Sequence, residues 1–176
     1  MLLAFVSEVT DGAEQVFTKL AEVTVQLNQC SDAEVLLRTA VQQTRDLFES
    51  DRAVICQTLS DEASIVIAES LTAGWTSLLH QTLPLPHPDA TDPRSLGINA
   101  IDQLQNGLVG EAAIAVLTRW QVQAYLASPI WMTAPSSSAS SAPPRPWGWL
   151  IIHQCHAPYT WHPIHHQVLQ QIATQV

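Results

Sequence analysis

Histidine is the chemically reactive residue type that stands out in this sequence, with seven among 176 residues. His162, His165 and His166 have helical spacing, and with His153 or His156 they could supply the nitrogen ligands of a zinc ion. A zinc-bound histidine usually has a carboxylate partner, but no Asp or Glu follows Glu111 in the sequence. We therefore expect a solvent-exposed, histidine-rich start of a helix and no metal site.

The residues of known catalytic motifs do not occur in the required arrangements. The six glycines are scattered singly, so the sequence contains no glycine-rich loop that could bind phosphate. Serine, histidine and aspartate are all present, but no serine lies on the sharp strand-to-helix turn that exposes a nucleophile. We therefore expect that the protein is not an enzyme.

The composition excludes several classes of partner. The net charge is −9, and the seven Lys and Arg residues are spread singly, so no basic cluster could neutralise the phosphates of a nucleic acid or an anionic membrane. No apolar stretch approaches the roughly 18 residues of a membrane span. Cys30, Cys56 and Cys155 lie far apart, as expected of free thiols in a reducing compartment. These features predict a soluble, cytoplasmic protein.

The first part of the sequence, residues 7–29, predicts a helix with a narrow apolar stripe. Spacings of three and four residues alternate along this stripe, as in a coiled coil. We therefore expect residues 1–30 to form a dimerisation helix and the protein to be a homodimer; the alternative is a helix that packs on its own domain. The stripe consists of Val6, Val9, Ala13, Val16, Leu20, Val23 and Leu27.

The remaining pattern predicts an α+β fold in residues 31–176. Ser31 and Glu34 have the spacing of a capping box, which opens the second helix. Strand pairs with helices gathered outside them imply an antiparallel sheet, in which 147–153 is the most apolar strand and therefore central. The predicted elements are helices 7–29 and 32–49, strands 52–59 and 64–70, a short helix, a proline-rich loop 84–97, helix 107–120, strands 121–132 and 147–153 joined by a Ser/Ala/Pro-rich segment 134–146, and helix 163–175.

Several segments resemble the GAF domains of phytochromes and cyanobacteriochromes. Residues 147–155, Trp-Gly-Trp-Leu-Ile-Ile-His-Gln-Cys, resemble the strand and turn that close those domains. Residues 73–79, Ala-Gly-Trp-Thr-Ser-Leu-Leu, are similar to the segment after their second strand, and residues 51–55 and 121–124 resemble two further strands. The resemblance runs from about residue 27 to 176. It implies a six-stranded antiparallel sheet with helices on one face and a ligand pocket on the other.

The resemblance also bears on the pocket and on what it could bind. In bilin-binding members a cysteine, usually followed by a histidine, carries the pigment; the matching residues 110–113 here are Gly-Glu-Ala-Ala. We therefore expect no covalently bound bilin and no other cofactor. The histidine that matches His153 faces the ligand in those relatives. Four bulky side chains could line or fill the pocket: Trp75, Trp120, Tyr125 and Trp149. The alternatives are a histidine bonded within the protein and aromatic residues that belong to the core.

The resemblance implies a regulatory or sensory module of a multidomain signal-transduction protein, such as a histidine kinase or a chemoreceptor. Its partners would be a second copy and an output domain of the same polypeptide, and the last helix, which runs to Val176 without a cap, would continue toward it. Two alternatives stay open. One is a degenerate GAF domain used only for dimerisation or docking; the other is a bilin photoreceptor with non-covalent or atypical attachment.

Overall fold

The computed structural model describes residues 2–60, 63–84, 99–103, 111–132 and 145–176, so most of the two predicted loops lies outside the described residues. Among these residues four helices and six strands follow one another in the predicted order, except that two short strands are added and the predicted short helix after the second strand is missing. They are α1 (Leu2–Asn28), α2 (Ala33–Leu47), β1 (Arg52–Thr58), β2 (Ala63–Leu71), β3 (Thr82–Pro84), β4 (Asn99–Ile101), α3 (Glu111–Arg119), β5 (Ala124–Ile130), β6 (Gly148–Gln154) and α4 (Pro163–Ala173).

The six strands form one antiparallel sheet in the order β3-β2-β1-β6-β5-β4, which confirms the α+β fold. The strands β1 and β6 lie side by side at the centre of the sheet, as the sequence predicts for 147–153. The predicted short helix between β2 and the proline-rich loop is wrong: turns connect β2 to β3 there. β3 and β4 have only three residues each, too few to show an alternating pattern.

Alternate residues of the central strands point to two different apolar clusters. Ala53 and Ile55 on β1 belong to the cluster shared with α1, α2 and α4, and we call this side of the sheet the helix face. Val54 and Cys56 point to the opposite side, the second face, where they pack with Trp149 and other buried residues. Successive side chains of a strand point to opposite faces of the sheet, so both faces of β1 are covered by apolar residues.

The inner stripe of α1 packs against its own chain. Leu20, Val23 and Leu27 are nine-tenths or more buried and contact the cluster that α2 and α4 share, and Val16 is partly buried against the same cluster. For these residues the structure therefore favours the alternative, a helix that packs on its own domain. The side chains of Val9 and Ala13 lie outside the described residues. Although α1 has 27 residues, no helix among the described residues is long and apolar enough to cross a membrane.

The start of α2 differs by one residue from the predicted capping box. The carboxylate of Asp32 accepts hydrogen bonds from the backbone N–H groups of Glu34 and Val35, at 2.8 and 3.1 Å. Asp32, and not Ser31, is therefore the residue that caps the helix. Aspartate and serine cap helices about equally well, so their adjacency in the sequence did not reveal which of them would do so.

Gly148 lies at a point where β6 and β1 leave no room for a side chain. A Cβ atom built at this position would overlap the backbone carbonyl oxygen of Cys56 on β1. We predict that Gly148→Ala lowers the free energy of unfolding by about 2 kcal/mol, because the two central strands would have to move apart. Urea denaturation measures this change, and a variant as stable as the wild type would contradict the close approach.

Candidate functional site

A buried arginine occupies the second face of the sheet at the start of β1. The side chain of Arg52 has no solvent exposure, and its strand neighbours are His153 on β6 and, one strand further, Tyr125 on β5. A guanidinium group stays charged in proteins, so burying it is costly unless every side of it finds a partner. The partners of Arg52 therefore determine whether its donors remain free to bind a ligand on the second face.

Arg52 has partners from four different segments of the chain. Its Nη2 donates to the carbonyl oxygen of Thr76 at 2.8 Å, and its Nη1 donates to that of Trp120 at 3.3 Å. Nη1 also lies 3.3 Å from Nδ1 of His153, while Nε lies 3.4 Å from Oε1 of Glu69 in an ion pair without hydrogen-bond geometry. We call these five residues the Arg52 network.

Glu69 connects the network to the chain that follows β2. Its side chain is almost fully buried, Oε1 accepts a hydrogen bond from the backbone N–H of Leu78 at 2.9 Å, and Oε2 accepts one from the hydroxyl of Ser77. Carboxylate oxygens with charged or backbone donors form the stronger class of protein hydrogen bonds. Glu69 and Arg52 together hold residues 76–78 against the sheet.

His153 is neutral in this environment. Burial and the neighbouring Arg52 charge lower the pKa of His153 from 6.5 to about 3. Because arginine can only donate, Nδ1 of His153 accepts the hydrogen bond, and the ring proton therefore resides on Nε2. The Tyr125 ring meets this imidazole edge-on, with 6.5 Å between the ring centroids.

Trp75 belongs to a neighbouring group of hydrogen bonds centred on Asp51. Its indole Nε1 donates to Oδ1 of Asp51 at 3.2 Å, while Oδ2 accepts from the backbone N–H groups of Cys155 and His156 at 2.7 and 3.0 Å. Asp51 therefore ties two connecting segments to the start of β1. The contact explains why a tryptophan follows β2, and it does so without a ligand.

The structure thus brings three of the five predicted pocket residues to the Arg52 network and places a fourth beside it. His153 is a direct member, Tyr125 packs on it, and Trp120 contributes its carbonyl while its ring lies partly buried on the second face. Sequence reasoning missed Arg52 and Glu69. A signal was available, because Arg52 starts the strand whose next four residues are all buried apolar groups.

The two buried cysteines, Cys56 on the second face and Cys155 after β6, are poor nucleophiles. Burial raises the pKa of Cys56 to about 12, and burial raises that of Cys155 to about 11. Thiols with such pKa values provide very little thiolate at neutral pH, and the thiolate is the form that reacts. Cys30, Cys56 and Cys155 are all free thiols.

The histidine-rich start of α4 has a structural explanation. The backbone N–H of His162 donates to Nδ1 of His165 at 3.1 Å, so the pair caps the first turn of the helix. Within the part of the chain that the structure describes, no three His, Cys, Asp or Glu side chains come close enough to bind one metal ion.

The family model of the GAF domain matches residues 32–176 of the chain. The chain belongs to the GAF domain family. The matched region begins at the residue that caps α2 and includes every strand of the sheet. The second face of this GAF domain, with the Arg52 network, is therefore the side on which the sequence resemblance implies a ligand pocket.

A curated relative carries a similar domain within a much longer protein. The GAF domain is 26% identical over 160 residues to a protein of Synechocystis sp. named as a methyl-accepting chemotaxis protein. The match covers 89% of this chain but only 15% of the relative. The chain therefore spans a small part of the length of that chemotaxis protein.

Solved structures of light-sensing proteins have the same fold. A far-red-absorbing dark-state structure with bound biliverdin superposes with a TM-score of 0.74 at 22% identity, covering 89% of this chain and 94% of the other. The blue-light-absorbing form of the Thermosynechococcus elongatus PixJ GAF domain gives 0.66 at 22%, covering 80% and 79%. The chromophore-binding domain of a Stigmatella aurantiaca phytochrome gives 0.70 at 17%, covering 90% and 57%. At these identities the likeness concerns the fold.

Proposed function

We propose that this GAF domain is a regulatory, non-catalytic module of a longer signalling protein, which dimerises through α1 and transmits changes through its two terminal helices. The observation that carries the proposal is the position of α1 and α4. Both pack on the helix face of the sheet, and they contact each other. A change in the sheet therefore reaches both ends of the chain through one apolar cluster. The chemotaxis relative supports a role within a receptor-like polypeptide.

The outer side of α1 offers the surface for a second copy. Phe17 and Val25 are 50% and 56% exposed, and Ala21 lies between them at a spacing of four residues. Residues at this spacing share one side of a helix, so the three form an apolar stripe that the domain itself leaves in water. Because the inner stripe is already covered, we propose that this outer stripe of α1 meets its counterpart in a partner chain.

We predict that Phe17→Glu converts the dimer to a monomer without unfolding it, because it places a charge in the outer stripe while the core stays intact. Light scattering at micromolar concentration measures the change. Gln15→Glu is the matched control, since it adds the same charge to an exposed position of the same helix. A Phe17→Glu protein that remains dimeric would exclude this surface.

The Arg52 network favours a second candidate, a GAF domain that dimerises and docks partners without a ligand on the second face. Arg52 already donates to Nδ1 of His153, so a ligand that bonds this nitrogen must first displace a fully buried, paired guanidinium. Losing the partners of a buried charge costs several kcal/mol, roughly 3–5. We therefore propose that His153 serves the protein's own packing.

A further inference from the structure

A cavity of about 160 Å³ lies on the helix face, on the opposite side of the sheet from the Arg52 network. Its apolar floor is formed by Val16 of α1, Leu47 of α2 and Val168 of α4. It is also lined by Phe48, Glu49, Tyr159 and His165. A cavity of roughly 150 Å³ can hold a molecule of benzene size, so this one has room for a small organic group.

Three aromatic rings stand together at one side of the cavity. The His165 ring lies in the middle, with its centroid 6.0 Å from that of Phe48 and 5.6 Å from that of Tyr159. Burial lowers the pKa of His165, and the neighbouring His162 and His166 lower it further, so the ring is neutral at neutral pH. The neutral His165 ring thus adds no positive charge to the cavity, and the Phe48 and Tyr159 rings are of the kind whose negative faces attract cations.

Glu49 brings a negative charge to the lining of the cavity. Glu49 follows Phe48, the residue that caps the end of α2, and its φ of 47° in the left-handed region turns the chain sharply after the helix. Its carboxylate lies close enough to Tyr159 to raise the pKa of that phenol, in addition to the effect of burial. Arg45 pairs with Asp46 and Arg52 pairs with Glu69, so neither of these two arginines pairs with Glu49.

We propose that this cavity binds a small organic ammonium ion, with Glu49 supplying the charge and Phe48, Tyr159 and His165 supplying aromatic contacts. Quaternary ammonium groups are recognised in this way, by aromatic rings that replace water around a diffuse positive charge. An anion would face the Glu49 carboxylate in a protein of net charge −9, so the electrostatics select the sign of the ligand.

The walls of the cavity are held in place by the protein's own bonds. The backbone N–H of Tyr159 donates to the carbonyl of Asp102 at 3.1 Å, and its ring packs on Trp161 at 4.6 Å. Trp161 in turn donates from Nε1 to the carbonyl of Ile101 at 3.2 Å. A preorganised site loses little binding free energy to the ordering of its side chains. Because α1 and α4 both line the cavity, a bound cation would contact the two helices through which we propose that the signal leaves.

Titration calorimetry with choline tests the proposal. We expect saturable binding with a Kd on the order of 1 mM, and about tenfold weaker binding of 3,3-dimethylbutan-1-ol, which has the same shape without the charge. Glu49→Gln and Tyr159→Leu should each weaken choline binding by roughly fivefold or more. Glu22→Gln, an exposed carboxylate on α1, is the matched control and should leave the Kd unchanged.

Three results would overturn the assignment. They are the absence of saturable choline binding at concentrations about fiftyfold above the expected Kd, equal binding of the uncharged analogue, and equal effects of Glu49→Gln and Glu22→Gln. Absence of binding would show that the cavity is not a choline site. Equal binding of the uncharged analogue would show that the cavity binds apolar groups without regard to charge. Equal effects of the two variants would show that choline is attracted only by the overall negative charge of the protein. Titrations at constant ionic strength keep these outcomes separate.

Discussion

Arg52→Ala is expected to lower the free energy of unfolding by about 3–5 kcal/mol. Removing the guanidinium leaves the Glu69 carboxylate buried without its cation and takes the donor away from the carbonyls of Thr76 and Trp120. Each of these groups would then be buried with fewer partners, which costs more than the lost bond itself. The segment 76–78 and the end of α3 would lose the side chain that fastens both of them to β1.

Arg45→Ala is the matched control for this experiment. Arg45 forms an ion pair with Asp46 at 2.7 Å, but both side chains are partly exposed, so its removal should cost no more than about 0.5 kcal/mol. Urea denaturation monitored by tryptophan fluorescence gives both values. If the two alanine variants were equally stable, the Arg52 network would not hold the second face together.

The second large effect is expected from acidification, through His153. Above about pH 6.5 the imidazole is neutral in the folded and the unfolded chain, so it adds no pH dependence. Below that pH the unfolded chain binds a proton, whereas the folded chain does so only near pH 3. His153 therefore lowers the free energy of unfolding by about 1.4 kcal/mol for each pH unit below 6.5, or roughly 3 kcal/mol at pH 4.5.

His153→Gln isolates this contribution, because a glutamine can still accept from Arg52 but does not titrate. The difference in unfolding free energy between the wild type and this variant should change by roughly 3 kcal/mol between pH 7 and pH 4.5, in favour of the variant at low pH. His156→Gln, an exposed position, should follow the wild type. Parallel pH profiles for all three proteins would show that His153 is not buried in its neutral form.

The sequence predicted the sheet well because the strands β1, β2, β5 and β6 are long enough to carry an apolar pattern. It could not decide between two roles for Leu20, Val23 and Leu27, since the same alternating spacing serves a dimer seam and a helix that packs on its own domain. Only the three-dimensional arrangement shows that α2 and α4 occupy that side of α1.

The candidate site was predicted in part. His153 and Tyr125 are adjacent on β6 and β5, and the resemblance of their segments to known strands was enough to place them together. The position of Arg52 at the start of an apolar strand marks it as unusual but does not identify its partners, which lie 17 to 101 positions away in the sequence. Two of these partners are backbone carbonyls, which no residue type reveals.

We expect that the chain is a dimeric regulatory module and that it carries no covalently attached bilin. Residues 112 and 113 are alanines, and burial leaves Cys56 and Cys155 almost entirely as thiols. Native mass spectrometry of the protein co-produced with a bilin measures both the oligomeric state and any bound bilin. A zinc-stained denaturing gel tests whether the bilin is attached covalently. We predict a colourless dimer at twice the chain mass, with no fluorescent band on the gel. A monomer, or a protein with a visible absorption band and a bilin that survives denaturation, would contradict the account.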